Sequence, residues 1–279
     1  MKGYRLIFRS LSLLLCAGFL CVPLTSCVGE GTGLRIGDCL ADLPLTDAEN
    51  NAVLVGDLSE KGKILILFPS SEEVKDSHLR AAERIIALYG SDWTVCLLWK
   101  EPPSHDVLGP ILAANSYQAD ITGDKTPQIC VTDKNNTVTS LPAAGFADLA
   151  KEMVAATEDK DALLTDVVDA MRNELMASGV LPQESDKPIL MISYMPTCRK
   201  CMPTVREIYK KADVLMEQYH LVSVLTAEDP DHPVFSENAL IDTFAVYLRA
   251  LQRDDNIALI CLEGDTVMWL TPDDLPQAS

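Results

Sequence analysis

Positive charge is what this chain has least of. Its 23 Lys and Arg stand against 41 Asp and Glu, a formal balance of −18 at pH 7, and histidine occurs four times. So acidic a surface repels phosphate backbones and anionic headgroups, which argues against nucleic acid as a partner and leaves electrostatics no part in holding the chain to a membrane. There is no Gly-rich phosphate loop, no nucleophile elbow and no His-x-x-x-His pair, so the nucleotide, acyl-transfer and zinc-hydrolase motifs are missing. The acids are too scattered to nominate an acid–base pair. His78, behind "PSSEEVKD", and His220 and His232 are expected on the surface.

What is present begins with "MKGYRLIFRSLSLLLCAGFLCVPLTSC". Lys2, Arg5 and Arg9 precede an apolar run that is short for a membrane span and stops at small residues, as in a secretory signal. Residues 1–26 are therefore expected to be a signal peptide and no part of the fold. "LTSC", Leu24 to Cys27, resembles the bacterial lipobox. That resemblance implies cleavage before Cys27, lipidation of Cys27, a tether over residues 27–33, and a place in the cell envelope, lipid-anchored at the outer membrane or periplasmic face. Val28 in place of an aspartate leans outward. Loss of residues 1–26 removes three cations and no acid, so the balance deepens from −18 to −21.

The remaining length suits two units of ordinary size. Of nine cysteines, Cys39, Cys96, Cys130, Cys198, Cys201 and Cys261 lie beyond Cys27, and one pair alone is close in sequence, so this is no disulfide-dense scaffold. In the first unit, residues 34–158, the run Ile64 to Phe68 reads as a strand and a helical pattern follows to about Tyr89. Strand 93–99, a helix near 106–118, two strands in "TPQICVTDKNNTVTSL" and a helix over 147–156 complete it. Residues 159–184 read as a helical connector, with Leu163, Leu164, Val167, Val168, Met171 and Leu175 on one stripe and Gly179 and Pro182 as the stop. The second unit, 185–279, holds strand "ILMISY", a helix from Met202 to about Tyr219, strand 221–226, a helix from about Glu237 to Leu251, and the hairpin "IALICLEGDTVMWL".

The order β-α-β-α-β-β-α and the wording "RIGDCLADLPLTD" and "GKILILF" resemble the redoxin and TlpA-type branch of the thioredoxin-like proteins. The resemblance implies an α/β fold of two thioredoxin-like domains, each a mixed central sheet flanked by helices. It places Pro127, in "Thr126-Pro127", at the family's cis-proline. The cysteines expected after Phe68 are replaced by "PSSEEVKD", so the first unit resembles the fold without its chemistry.

"KPILMISYMPTCRKC" puts Cys198 and Cys201 where a strand turns into a helix. A thiol at a helix N-terminus faces unpaired N–H groups and the positive dipole end, and Arg199 and Lys200 add two cations, all of which favour thiolate. The stretch aligns without a gap on the thioredoxin pattern "KPVLVDFWAxWCxxC", which implies a redox-active disulfide with Cys198 as nucleophile, Cys201 as resolver and no further cofactor. An alternative register, "CRKCMP" on the TlpA-type "CRKEMP", makes Cys198 the second family position and Met195 the first. The family's tryptophan is here Thr197, and Asn256 and Ile257 stand where its second cis-proline would lie.

Three readings stay open for the pair: thiol–disulfide exchange with exported protein thiols or a redox partner, a Cu(I) site of Cys198, Cys201, Met195 and Met202, and a structural disulfide. A non-catalytic assembly lipoprotein built on thioredoxin folds is the remaining alternative. Cys96 and Cys130 are expected on strands either side of the central one, about 10 Å apart and unbridged. Cys261 reads as core and Cys39 as the loop cysteine able to pair.

Overall fold

The computed structural model describes residues 33–47, 51–68, 74–100, 114–117, 127–182, 186–237, 239–251, 257–264 and 266–276. Signal, lipobox and Cys27 fall outside them, as does the Thr126 side of the bond to Pro127.

Two fully buried, mostly apolar strands organise two sheets. Every residue of β3 (Lys63–Phe68) is buried, as is every residue of β8 (Ile189–Tyr194); runs of this kind suit strands covered on both faces. The first sheet has seven strands in the order β2-β1-β5-β4-β3-β6-β7, from β1 (Pro44–Thr46), β2 (Ala52–Leu54), β4 (Thr94–Trp99), β5 (Ala114–Tyr117), β6 (Gln128–Thr132) and β7 (Val138–Ser140). The second has five in the order β10-β9-β8-β11-β12, from β9 (His220–Leu225), β10 (Ala239–Ile241), β11 (Ile257–Glu263) and β12 (Thr266–Leu270). In both, the central strand pairs parallel with the next long strand and antiparallel with the first strand of a hairpin. That is the thioredoxin-like order, reached twice.

Helices cross between the parallel strands. In the first sheet α1 (Asp76–Tyr89) joins β3 to β4, and α2 (Phe146–Ala156) follows β7. Next comes α3 (Lys160–Ala177), capped by the Asp159 side chain on Ala162 N–H at 3.0 Å. Gly179 takes the left-handed φ of 73° that stops it. In the second sheet α4 (Met202–Tyr209) and α5 (Ala212–Gln218) join β8 to β9, and α6 (Pro233–Glu237) and α7 (Val246–Ala250) lie between β9 and β11. Among the described residues β12 is followed by a single 3-10 turn, Pro272–Asp274, in place of a closing helix.

The alternation of side chains along each central strand sorts the core into three. Leu65 and Leu67 face the N-terminal segment through Leu40, Leu43, Leu45 and Val55. Ile64, Ile66 and Phe68 on the opposite face share one continuous core with Met191, Val222, Val224 and Ile260 of the second sheet, through α1, α2, α3 and α7. The far face of the second sheet, Leu190, Ile192 and Tyr194, packs under α4 and α5. The two sheets thus sandwich a common helical layer, and α3, expected as a connector, contributes its stripe Leu163, Val167, Val168, Met171 and Leu175 to that layer.

A buried ionic cluster pins the layer. Arg84 of α1, 3 % exposed, makes a bidentate pair with Glu174 of α3 at 2.6 and 2.9 Å and reaches Asp242 at 3.0 Å. Asp242 also caps α7 through Val246 and Tyr247 N–H, and the Tyr247 hydroxyl donates to Glu174 at 2.7 Å.

Several expectations are corrected. Residues 114–117, expected in a helix, form β5, held parallel to β4 and antiparallel to β1; the rest of that expected helix lies outside the described residues. The long helix after the cysteines breaks at Lys210 and Lys211, where Lys211 N–H bonds Ile208 carbonyl three residues back. Val205, Ile208, Ala212 and Leu215 stay buried across the break, so their spacing reads as one continuous helix. The expected helix over 237–251 resolves into the end of α6, strand β10 on the open edge of β9, and α7. Strands β1 and β2 were not foreseen; with three residues each, their pattern is too short to read.

Candidate active site

β8 ends at Tyr194, and the chain turns through Met195, Pro196 and Thr197 with Cys198 N–H bonded to Met195 carbonyl at 2.9 Å. Cys198 and Cys201 form a disulfide, with Cα atoms 5.3 Å apart. Cys201 sits at the N-cap of α4; Pro203 follows in the first turn, where no N–H is needed. Exposure separates the two residues: Cys198 is half-buried and Cys201 is 2 % exposed.

Arg199 and Lys200 are exposed between them and make no ion pair among the described residues. Met195 and Met202 are half-buried on either side, close enough in sequence to stay candidates for a soft-metal site. Ile257 opens β11 directly opposite Tyr194, so a β-branched side chain occupies the neighbourhood of the missing second proline. In the first sheet Pro127 is buried just ahead of β6, whose Gln128 pairs with Leu67. The segment after Phe68 that replaces the family's cysteines lies largely outside the described residues.

Among the described residues the other cysteines, Cys39, Cys96, Cys130 and Cys261, are free. Cys96 and Cys130 both register opposite Leu65, one from each neighbouring strand, which is the unbridged arrangement expected of them. Burial pushes the Cys96 thiol up to about 11, against a small opposing effect of Lys63, and the Cys130 thiol up to about 12. Both stay protonated and unreactive at neutral pH. Cys261 is buried; Cys39, partly exposed, makes an isolated bridge to Thr137.

Two histidines read as surface groups are buried. His78, 8 % exposed, accepts the Lys75 N–H on Nδ1 at 3.1 Å and stacks on Phe244 of the second unit at 5.2 Å. His232, 4 % exposed, lies 2.8 Å from Asp229, which also receives the Tyr194 hydroxyl at 2.6 Å. Sequence reasoning missed this trio and the Arg84 cluster. The available signals were Asp229 and His232 at i, i+3 in "EDPDHP", and Arg84 on the apolar stripe of α1 between Ala81 and Leu88.

No protein-family model and no curated protein matches this chain. Solved structures do resemble parts of it. A domain of a possible thiol-disulfide isomerase from Cytophaga hutchinsonii is 16 % identical with a TM-score of 0.37 and covers 45 % of this chain and 95 % of its own. The thioredoxin domain of a thiol-disulfide oxidoreductase from Bacteroides vulgatus is 13 % identical at 0.31, covering 39 % and 89 %. A thiol:disulfide interchange protein from Bacteroides sp. is 13 % identical at 0.34, covering 44 % and 90 %.

Proposed function

We propose that this protein is a thiol–disulfide exchange protein of the bacterial cell envelope, working through Cys198 and Cys201. One observation carries the reading: a disulfide across a two-residue spacing at a helix N-terminus, with Cys198 partly exposed and Cys201 buried. In the reduced form the Cys198 thiolate attacks a client disulfide, forming a mixed disulfide and releasing one client thiolate. Cys201 then attacks Cys198 Sγ, which restores the intramolecular bond and frees the second client thiolate. Arg199, Lys200 and the α4 dipole favour the thiolate that starts the sequence. Anchoring through a lipidated Cys27 and exported proteins as clients belong to the same proposal, supported by the signal-like N-terminus. So does a division into a non-catalytic unit at 34–158 that positions partners and a redox unit at 185–279.

The test is the reduction potential of the pair, by equilibration in glutathione or dithiothreitol buffers without metal. A reversible two-electron couple above about −300 mV supports exchange, and one below it marks a structural disulfide and ends the reading. Cys201→Ser should accumulate mixed disulfides with client thiols. Stoichiometric Cu(I) lost on changing either cysteine would instead favour the site completed by Met195 and Met202.

A further inference from the structure

Cations are scarce in this chain, yet they gather beside the cysteine pair. Residues 199–211 hold five of its 23 Lys and Arg and one of its 41 Asp and Glu. Arg199 and Lys200 fill the turn between the two cysteines, Arg206 follows on α4, and Lys210 and Lys211 stand where α4 ends. The one acid is already engaged: Glu207 pairs with Lys210 at 2.6 Å. Lys211 donates to the Pro272 carbonyl at 3.4 Å. Arg199, Lys200 and Arg206 remain, all exposed and none with an acid or carbonyl partner among the described residues. Exposed cations commonly form no more than a solvated face. In so acidic a chain, however, three that meet no acid, all beside the cysteines, make a local field of the opposite sign.

The backbone fixes these three against the disulfide. Cys201 N–H and Met202 N–H both bond the Cys198 carbonyl, at 3.0 and 3.2 Å, so the turn carrying Arg199 and Lys200 is wound like a helix between the bonded cysteines. Val205 N–H bonds the Cys201 carbonyl at 3.0 Å and Lys210 N–H the Arg206 carbonyl at 3.1 Å, which continues the winding to the end of α4. Val205 and Ile208 turn inward with Cys201, leaving Pro203, Arg206 and Lys210, three and four positions apart, on the exposed side. At about 1.5 Å of rise per residue, Arg206 stands about 7.5 Å along the axis from Cys201. At 0.1 M salt the Debye length is about 10 Å, so a group bonded to Cys198 meets this patch ahead of the chain's net charge.

We propose that Arg199, Lys200 and Arg206 form the client-selecting surface of the cysteine pair, and that the client is a protein segment whose reactive cysteine is flanked by Asp or Glu. The inference rests on the exchange reading above and names its substrate class. Carboxylates a few residues from the client cysteine come beside the three cations once the mixed disulfide at Cys198 has formed, and the same attraction raises the rate of productive encounter. A neutral flank gains nothing from the patch and a basic one is repelled, so the surface works against the wrong client as well as for the right one.

The experiment uses the full chain in its reduced form and two synthetic peptides, each with one intramolecular disulfide, flanked by Asp in the first and by Asn in the second. The Cys198 thiolate attacks the peptide disulfide and releases one peptide thiolate. Cys201 then gives its proton to solvent and closes on Cys198, releasing the second, so the peptide gains the two electrons that the protein loses. In 0.1 M salt the Asp peptide should be reduced about tenfold faster, and the ratio should fall below about twofold at 1 M, where the Debye length is about 3 Å. Arg206→Gln should cut the ratio about threefold, as loss of one exposed pair does. Each ratio is taken within one protein, so a change in thiolate reactivity cancels. Equal rates for the two peptides overturn the proposal and leave exchange standing, as does a preference that survives 1 M salt or Arg206→Gln. If equal rates come with binding to anionic over zwitterionic phospholipid vesicles that Arg206→Gln weakens, the patch is a headgroup contact instead. Should neither peptide be reduced, the exchange reading fails. The surface is then judged by fluorescence anisotropy of the same peptides with serine in place of cysteine: the Asp form should bind more tightly in 0.1 M salt and lose that advantage with Arg206→Gln, and equal binding overturns the proposal.

Discussion

Asp229 shows how burial and hydrogen bonding compete at a single residue. Burial raises its pKa, but the hydrogen bonds from Tyr194 and His232, with the His232 interaction, outweigh this and hold it below the ordinary value of 3.8. A carboxylate depressed in the folded state contributes stability that is fully present above its unfolded pKa and is lost as pH falls through the folded one. The stability difference between wild type and Asp229→Asn should therefore be constant from neutral pH down to about 4 and shrink below that. Thermal unfolding at stepped pH reads it; parallel curves down to the most acid point would deny the carboxylate this role. Tyr194, across the bond, is moved up by burial first and by Asp229 second, so its hydroxyl remains a donor throughout the accessible range. The cysteine pair was legible because a two-residue spacing after an apolar strand is a local signal. Asp229 was not, because its partner Tyr194 lies 35 positions away and only folding joins them.

At the scale of elements, the junction that starts β3 and β4 leaves no room. A Cβ on Gly62 would stand 2.6 Å from Trp93 Cζ3 and 2.9 Å from the Thr132 carbonyl oxygen. The carbonyl belongs to β6 and cannot swing aside. Gly62→Ala should lose about 1–3 kcal/mol, the usual range for overpacking, seen as a lower urea midpoint at unchanged slope; an unchanged midpoint would mean that the strand start yields. Long buried strands such as β3, β4, β8 and β11 were readable because four or more apolar residues in a row have few alternatives. Short β1, β2, β5 and β10 draw their order from neighbours remote in sequence, and β10 in particular takes strand form because β9 offers it an open edge.

For the whole molecule, the shared helical layer decides behaviour. Met191, Val222, Val224 and Ile260 of the second sheet are covered by α3, α7 and, through them, by α1 and α2. Neither sheet can expose that face without losing one continuous core, and the Arg84 cluster ties α1 to α3 and to the turn before α7. Urea unfolding should be a single transition, coincident in far-UV circular dichroism and in the fluorescence of Trp93, Trp99 and Trp269, and residues 186–279 expressed alone should not fold cooperatively. Two separated transitions, or a folded fragment, would show the units to be independent.

By itself the sequence determined the α/β class, the central strands, the place of the cysteine pair and the acidic character, since each depends on composition or on residues within a few positions of one another. Tertiary structure alone decided that two sheets share a core and that Arg84, His78 and His232 lie inside. Those outcomes depend on which surfaces meet. A buried charge is permitted only where a partner waits, and the partners of Arg84, at Glu174 and Asp242, are 90 and 158 residues away.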